Sequence, residues 1–208
     1  MENNPWLSAA PAQPAQMLDT TSNSPASHEA QDAPEPSGIA RPNGPQAPQP
    51  FIPPGPGPAL PARHAPGPAQ LWWMGVHGGA GETTLAALSP VGRAAEHAWP
   101  VTEFGQHAVV LVTRTHHYGL MGARQAAIEW ARGEISVRLI GLTLVADAPG
   151  RIPKPLRDLT DLVVGAVPRI WNIPWVEAWR MAPADIQTAP RAVRRLLAET
   201  TALTATTS

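Results

Sequence analysis

Residues 71–84 read Leu71-Trp-Trp-Met-Gly-Val-His-Gly-Gly-Ala-Gly-Glu-Thr-Thr84, and the fold class follows from them. An apolar run, Leu71 to Val76, passes into a glycine loop, and Leu85, Ala86, Ala87 and Leu88 continue as helix formers. Strand, glycine loop and helix in that order make a phosphate-cradling P-loop, whose backbone N–H groups and helix N-terminus hold an anion. Gly78, Gly79 and Gly81 stand where such a loop needs them, and Thr83 and Thr84 follow. Between Gly81 and Thr83, however, Glu82 occupies the place of the phosphate-binding lysine. Two readings remain open. The loop could still hold nucleotide through backbone N–H groups and the Thr83 and Thr84 hydroxyls. Alternatively it is a vestigial phosphate loop in which Glu82 serves the positive end of its helix, a favourable placement by about 0.3–1 kcal/mol. Charge favours the second, because a carboxylate repels the phosphates that a lysine would neutralise. On that argument Glu82→Lys restores some nucleotide affinity and no hydrolysis.

Outward from the loop, Val109–Val112 and Leu139–Val145 are continuous apolar runs without alternation. That is the signature of parallel strands covered on both faces. Between them 119–133 reads as a helix, with Leu120, Ala123, Ala127, Ile128 and Ala131 on one stripe and Gln125, Glu129 and Arg132 on the other. A short helix over 155–162, a fourth strand over Leu162–Val167, a helix opened by Pro174 and a last helix over 190–199 complete the pattern. Thr200–Ser208 is expected to fray. Strands alternating with helices predict a small three-layer α/β sandwich with a mostly parallel sheet. Its carboxyl edge would gather the glycine loop, Arg114–Tyr118 and Asp147–Arg151.

The domain expected over 69–182 is preceded by a very different segment and followed by a C-terminal helix and tail, 183–208. Of the 26 prolines, 17 precede residue 69. Residues 1–68 have too little apolar surface to offset their conformational entropy, so a disordered Pro/Ala/Gln-rich arm is predicted. It serves as a tether, or carries a short docking motif at Met1–Leu7 or Pro50–Pro54. Residues 69–208 alone should then keep the thermal transition of the whole chain. The chain has no cysteine, which excludes disulfides and thiolate metal sites. A formal net charge of −1 lacks the basic bias of a nucleic-acid binder. Without an apolar stretch of about 20 residues there is no membrane span, and without a signal-peptide pattern the expected location is cytoplasmic.

His77-Gly-Gly-Ala-Gly-Glu-Thr-Thr84 matches six of eight positions of Lys-Gly-Gly-x-Gly-Lys-Thr-Thr, the loop of the MinD/ParA group of deviant-Walker ATPases, the free position included. Both mismatches fall on lysines. Val110–Arg114 with its following helix, and Gly165-Ala-Val-Pro168 with Trp175-Val-Glu-Ala178, are similar to late segments of that group. The resemblance covers about residues 70–182. It implies a reduced P-loop NTPase-like fold, and it extends to small MinD-like proteins of actinobacteria. Leu85–Ala108 contains no aspartate, so the Walker B acid and the switch segment of the group have no counterpart.

Three histidines, His77, His116 and His117, would meet at the sheet edge as zinc ligands, but no short ligand spacing supports a metal. Asp147 stands at a strand end where catalytic acids occur, and is equally the first residue of an Asp-Ala-Pro-Gly turn. Trp171, Trp175 and Trp179 suit a protein interface where exposed. Arg191, Arg194 and Arg195 form one side of the last helix, a solvated face in the ordinary case. The expectation is a catalytically inactive MinD/ParA-like scaffold or adaptor for a protein partner, plausible in a secretion, conjugation or partition apparatus. It requires no cofactor, its oligomeric state is open, and the alternative is a weak ATP/Mg²⁺-binding switch or ATPase completed by a partner.

Overall fold

The computed structural model describes residues 42–65, 69–103 and 105–205. In chain order the elements are β1 (Ala62–His64), β2 (Leu71–Gly75), α1 (Glu82–Leu88), β3 (Gly92–Ala94), β4 (Trp99–Val101), β5 (His107–Arg114), α2 (His117–Ala131), β6 (Val137–Val145), α3 (Lys154–Val164), β7 (Ile170–Ile173), α4 (Ala178–Met181) and α5 (Arg191–Ala205). Strands β3-β2-β5-β6-β7, in that order, form one sheet in which every neighbouring pair is parallel.

The apolar runs dictate where this sheet lies. Every residue of β2 is buried, as is nearly all of β5 and β6, so helices must cover both faces. Trp72 and Trp73, adjacent on β2, point to opposite faces because side chains alternate along a strand. Trp72 packs with Met74, Val109, Leu111 and the apolar stripe of α2, and with Val163 of α3. Trp73 packs with Val110 and Val112, with Leu85 of α1, and with Val193, Leu196 and Leu197 of α5. The result is the three-layer α/β sandwich. At Gly141 the register of β6 shifts against β5, and a Cβ there would lie 2.5 Å from the Arg169 carbonyl oxygen, so only glycine fits.

The stretch Leu162–Val167 is not a strand. It is the end of α3 and the turn after it, and the strand that follows β6 in the sheet is β7, Ile170–Ile173. Leu156, Leu159 and Val163 lie on the sheet-facing side at helical spacing, which overrides the short apolar run. The helix expected from Pro174 is only the single turn of α4. Helix α5 runs to Ala205, burying Thr200 and Thr204, so it forms part of the outer layer and its end does not fray at 200. Strands β1, β3 and β4, each of three residues, are too short for periodicity to detect.

The arm boundary also moves. Residues 42–65 lie along the domain as a strap over the α2–α3 face. Asn43 N–H donates to the Pro168 carbonyl and Gln49 N–H to that of Ala131. Strand β1 then pairs in parallel with β4. Backbone groups of the strap meet two side chains of α2 that sequence periodicity placed in solvent. Gly57 N–H donates to Gln125 Oε1 at 3.1 Å, and Leu60 N–H to Glu129 Oε1 at 2.9 Å. Glu129 is 2 % exposed. Its carboxylate also accepts from Gln125 Nε2 at 2.9 Å and from the indole N–H of Trp99 at 2.8 Å. Burying a carboxylate is costly unless its oxygens accept hydrogen bonds, and the strap adds a backbone donor to those of Gln125 and Trp99. The Met1–Leu7 motif and the rest of the arm lie outside the described residues. No helix among the described residues is long and apolar enough to cross a membrane.

Candidate functional site

Strand β2 leads into α1 on one face of the sheet and β5 into α2 on the other, so the topology switches between these two neighbours. In open α/β sheets the crevice at such a switch is where ligands bind. Here it is bounded by the glycine loop, 76–81, and by 114–118. Gly79 and Gly81 have φ of 76° and 105°, left-handed values that favour glycine. A Cβ on Gly78 or Gly79 would meet nothing within 4 Å, so the loop presents open backbone to solvent. Thr83 is exposed and Thr84 half-buried, and no side chain caps α1.

Glu82 is not part of that open surface. It is 2 % exposed, and its carboxylate turns inward beneath the loop. Oε2 accepts the N–H of Gly75 at 2.7 Å and that of His97 at 3.2 Å, while Oε1 accepts the N–H of Glu96. His97 Nδ1 lies 3.0 Å from Oε2 and 3.1 Å from the Gly75 carbonyl oxygen, so this nitrogen carries the proton. Glu96 and His97 have φ of 56° and 59°. Two consecutive left-handed residues aim their N–H groups at one point and form an anion-binding nest. Glu82 fills that nest from within the chain. The carboxylate therefore clamps the end of β2 to the turn before β4, a role beyond the helix-end placement read from sequence. The geometry also removes the basis for expecting Glu82→Lys to restore phosphate affinity, since a side chain at 82 is directed into a cluster of N–H donors.

His77 fills the crevice itself. Its Nδ1 donates to the Gly78 carbonyl at 2.8 Å, and its Nε2 accepts the N–H of Arg114 at 3.1 Å. Gly119 makes room for the ring, since a Cβ there would lie 2.8 Å from Nε2. Burial of the imidazole lowers its pKa below the ordinary histidine value, against the raising effect of the Gly78 hydrogen bond, and the charges of His116, Arg114 and His97 lower it further. His116 packs against His77 with ring centroids 4.7 Å apart and planes inclined at 54°, and it accepts the N–H of Gly119 through Nδ1, capping α2. With both nitrogens of His77 and one of His116 engaged within the chain, the pair serves packing and capping. Among the described residues no group of three or more His, Asp or Glu side chains is arranged to hold a metal ion.

The cation against the loop comes from Arg114–Tyr118, the segment expected at this edge, although sequence reading assigned that arginine no role of its own. Arg114, at the end of β5, donates Nε–H to the Gly79 carbonyl at 2.8 Å and reaches the Ala146 carbonyl at 3.4 Å. Only tertiary structure brings it there, 35 residues along the chain. Asp147 is exposed, and its N–H donates to Thr115 Oγ1 at 3.1 Å, tying the β6 turn to the end of β5. Arg114 and Asp147 open onto a cleft of about 310 Å³ whose far side is Trp175, Trp179 and Arg180.

A family model matches residues 69–197, from just before β2 into α5. The chain belongs to DUF6668, a family of unknown function. The matched DUF6668 segment takes in the glycine loop, Glu82, His77, Arg114 and the cleft, while the strap lies before it. No curated protein and no solved structure matches the chain.

Proposed function

We propose that this DUF6668 protein is a catalytically inactive, MinD/ParA-like module that works in the cytoplasm as a scaffold or adaptor for a protein partner. The observation that carries the reading is the position of Glu82. The residue that stands in the lysine position of the loop is an anion, it is buried, and its hydrogen-bonding capacity is taken up by the N–H groups of Gly75, Glu96 and His97. A phosphate arriving at the loop would meet no lysine, and phosphoryl transfer depends on such fixed positive charge and on bound Mg²⁺. What remains is a rigid α/β body with an ordered proline-rich strap, which suits a binding platform better than a catalyst.

One observation favours a second reading, a weak nucleotide switch completed by a partner. The Arg114 guanidinium already stands against the loop at Gly79 and offers positive charge from β5. Thermal unfolding with and without ATP–Mg²⁺ separates the two. A ligand at a hundred times its Kd stabilises by about 2.7 kcal/mol, so a real site would raise the midpoint by several degrees. The scaffold reading expects no shift at millimolar ATP. ATP turnover by the purified protein, abolished in Thr83→Ala, would overturn it.

A further inference from the structure

The cleft beside the loop carries a charge pattern that the scaffold reading leaves unused. Arg180 lies on the single turn of α4, exposed, with its guanidinium 5.5 Å from the centre of the Trp175 ring. Stacked in this way a guanidinium keeps its in-plane N–H groups available, and that fork matches a carboxylate. Among the described residues no carboxylate pairs with it. The Arg114 guanidinium, on the opposite wall, meets only the carbonyls of Gly79 and Ala146 among the described residues. Against these two cations the cleft lining holds one acid, Asp147. Apart from Arg180 the far side is apolar, made by Trp175 and Trp179, both half-buried. Glu177 satisfies the indole N–H of Trp175 at 2.7 Å, whereas that of Trp179 has no acceptor among the described residues.

We propose that this cleft is the partner-docking site and that it takes a short acidic segment of the partner protein, one Asp or Glu beside a bulky apolar residue. The carboxylate pairs with Arg180 and, across the cleft, with Arg114. The apolar side chain lies on the two indoles. Tryptophan and arginine together make up the commonest hot spots of protein interfaces, because each buries large area and makes directed contacts. The excess positive charge selects an acidic segment over a basic one. This inference rests on the protein-partner reading above and narrows it to one surface and one chemistry.

A random peptide display library selected on the full chain tests it, with Arg180→Glu as the counter-target. Arg180 is exposed on a one-turn helix, so the substitution leaves the fold intact, as its circular dichroism will show. The enriched peptides should share an acid next to Leu, Phe or Trp. Loss of one such contact should weaken them about tenfold or more on Arg180→Glu. Changing the acid to lysine in a selected peptide should recover binding to Arg180→Glu. Indole N–H resonances of Trp175 and Trp179 should shift on titration with a selected peptide, while that of Trp73, sealed in the core, should not. Peptides without an acid, peptides that bind Arg180→Glu equally well, or no enrichment at all would overturn the cleft assignment. None of these outcomes touches the scaffold reading, which falls on ATP stabilisation or turnover instead.

Discussion

Glu82 Oε2 accepts the backbone N–H of Gly75 at 2.7 Å, so the first residue of α1 is tied to the last residue of the strand before it. The same carboxylate holds the N–H groups of Glu96 and His97 in a turn whose backbone is left-handed at both residues. The loop between strand and helix is thereby closed underneath by an internal anion. In a working P-loop the equivalent position sends a cation outward to phosphate.

Removal of this anion should be costly. Hydrogen bonds to charged groups contribute about 1.5–3 kcal/mol, and the buried N–H groups would be left unpaired. Glu82→Ala should destabilise the full chain by about 3 kcal/mol or more in urea unfolding, and Glu82→Lys by at least as much, because it sets a cation among donors. Glu82→Gln keeps one carbonyl acceptor and should fall between wild type and alanine. A stable Glu82→Lys protein that binds ATP would show that the carboxylate clamp is dispensable.

The strap gives a second test, in the direction opposite to that expected from composition. Beginning the chain at residue 69 removes β1 and the Leu60 N–H, and uncovers Glu129, Gln125 and Trp99. Unpairing the buried Glu129 carboxylate from one donor costs about 1–3 kcal/mol, to which the lost strand pairing adds. At this chain length each kcal/mol moves the midpoint by about 2–4 °C. A chain starting at residue 42 should retain the full midpoint, and one starting at 69 should melt at least several degrees lower. Equal midpoints for the two would mean that the strap adds nothing to the fold.

His77 makes stability depend on pH. Its folded pKa is lowered from the ordinary value near 6.5, chiefly by burial, so below that value the unfolded chain binds the proton more readily than the folded one. Its contribution is therefore complete above about pH 6.5 and is lost as pH falls toward the folded pKa. His77→Gln can still accept the Arg114 N–H and does not titrate. The midpoint difference between pH 7.5 and pH 5.5 should be smaller in this variant than in wild type. An equal or larger difference would place the acid sensitivity at other groups.

Sequence alone determined the layers. Continuous apolar runs at β2, β5 and β6 can exist only where both faces are covered, and adjacent Trp72 and Trp73 with no room for solvent on either side require helices above and below. The glycine spacing likewise fixed the loop, since left-handed backbone at Gly79 and Gly81 is a local property. What the sequence could not settle was every feature made by residues far apart along the chain. Glu129 has the periodicity of a solvated position, and it is buried with partners because Leu60, 69 residues earlier, and Trp99 bring N–H groups to it beside that of Gln125. Topology put Arg114 at the same sheet edge as the glycine loop, but not the hydrogen bond that its Nε–H donates to the Gly79 carbonyl from 35 residues away. Glu82 read as a carboxylate serving the positive end of its helix, and the donors that its oxygens meet, the N–H groups of Glu96 and His97, lie in a turn that no local pattern announces. Periodicity reports which side chains need burial. Which polar groups will find partners is decided when the chain closes on itself, because a hydrogen bond is directional and its two ends need not be neighbours in sequence.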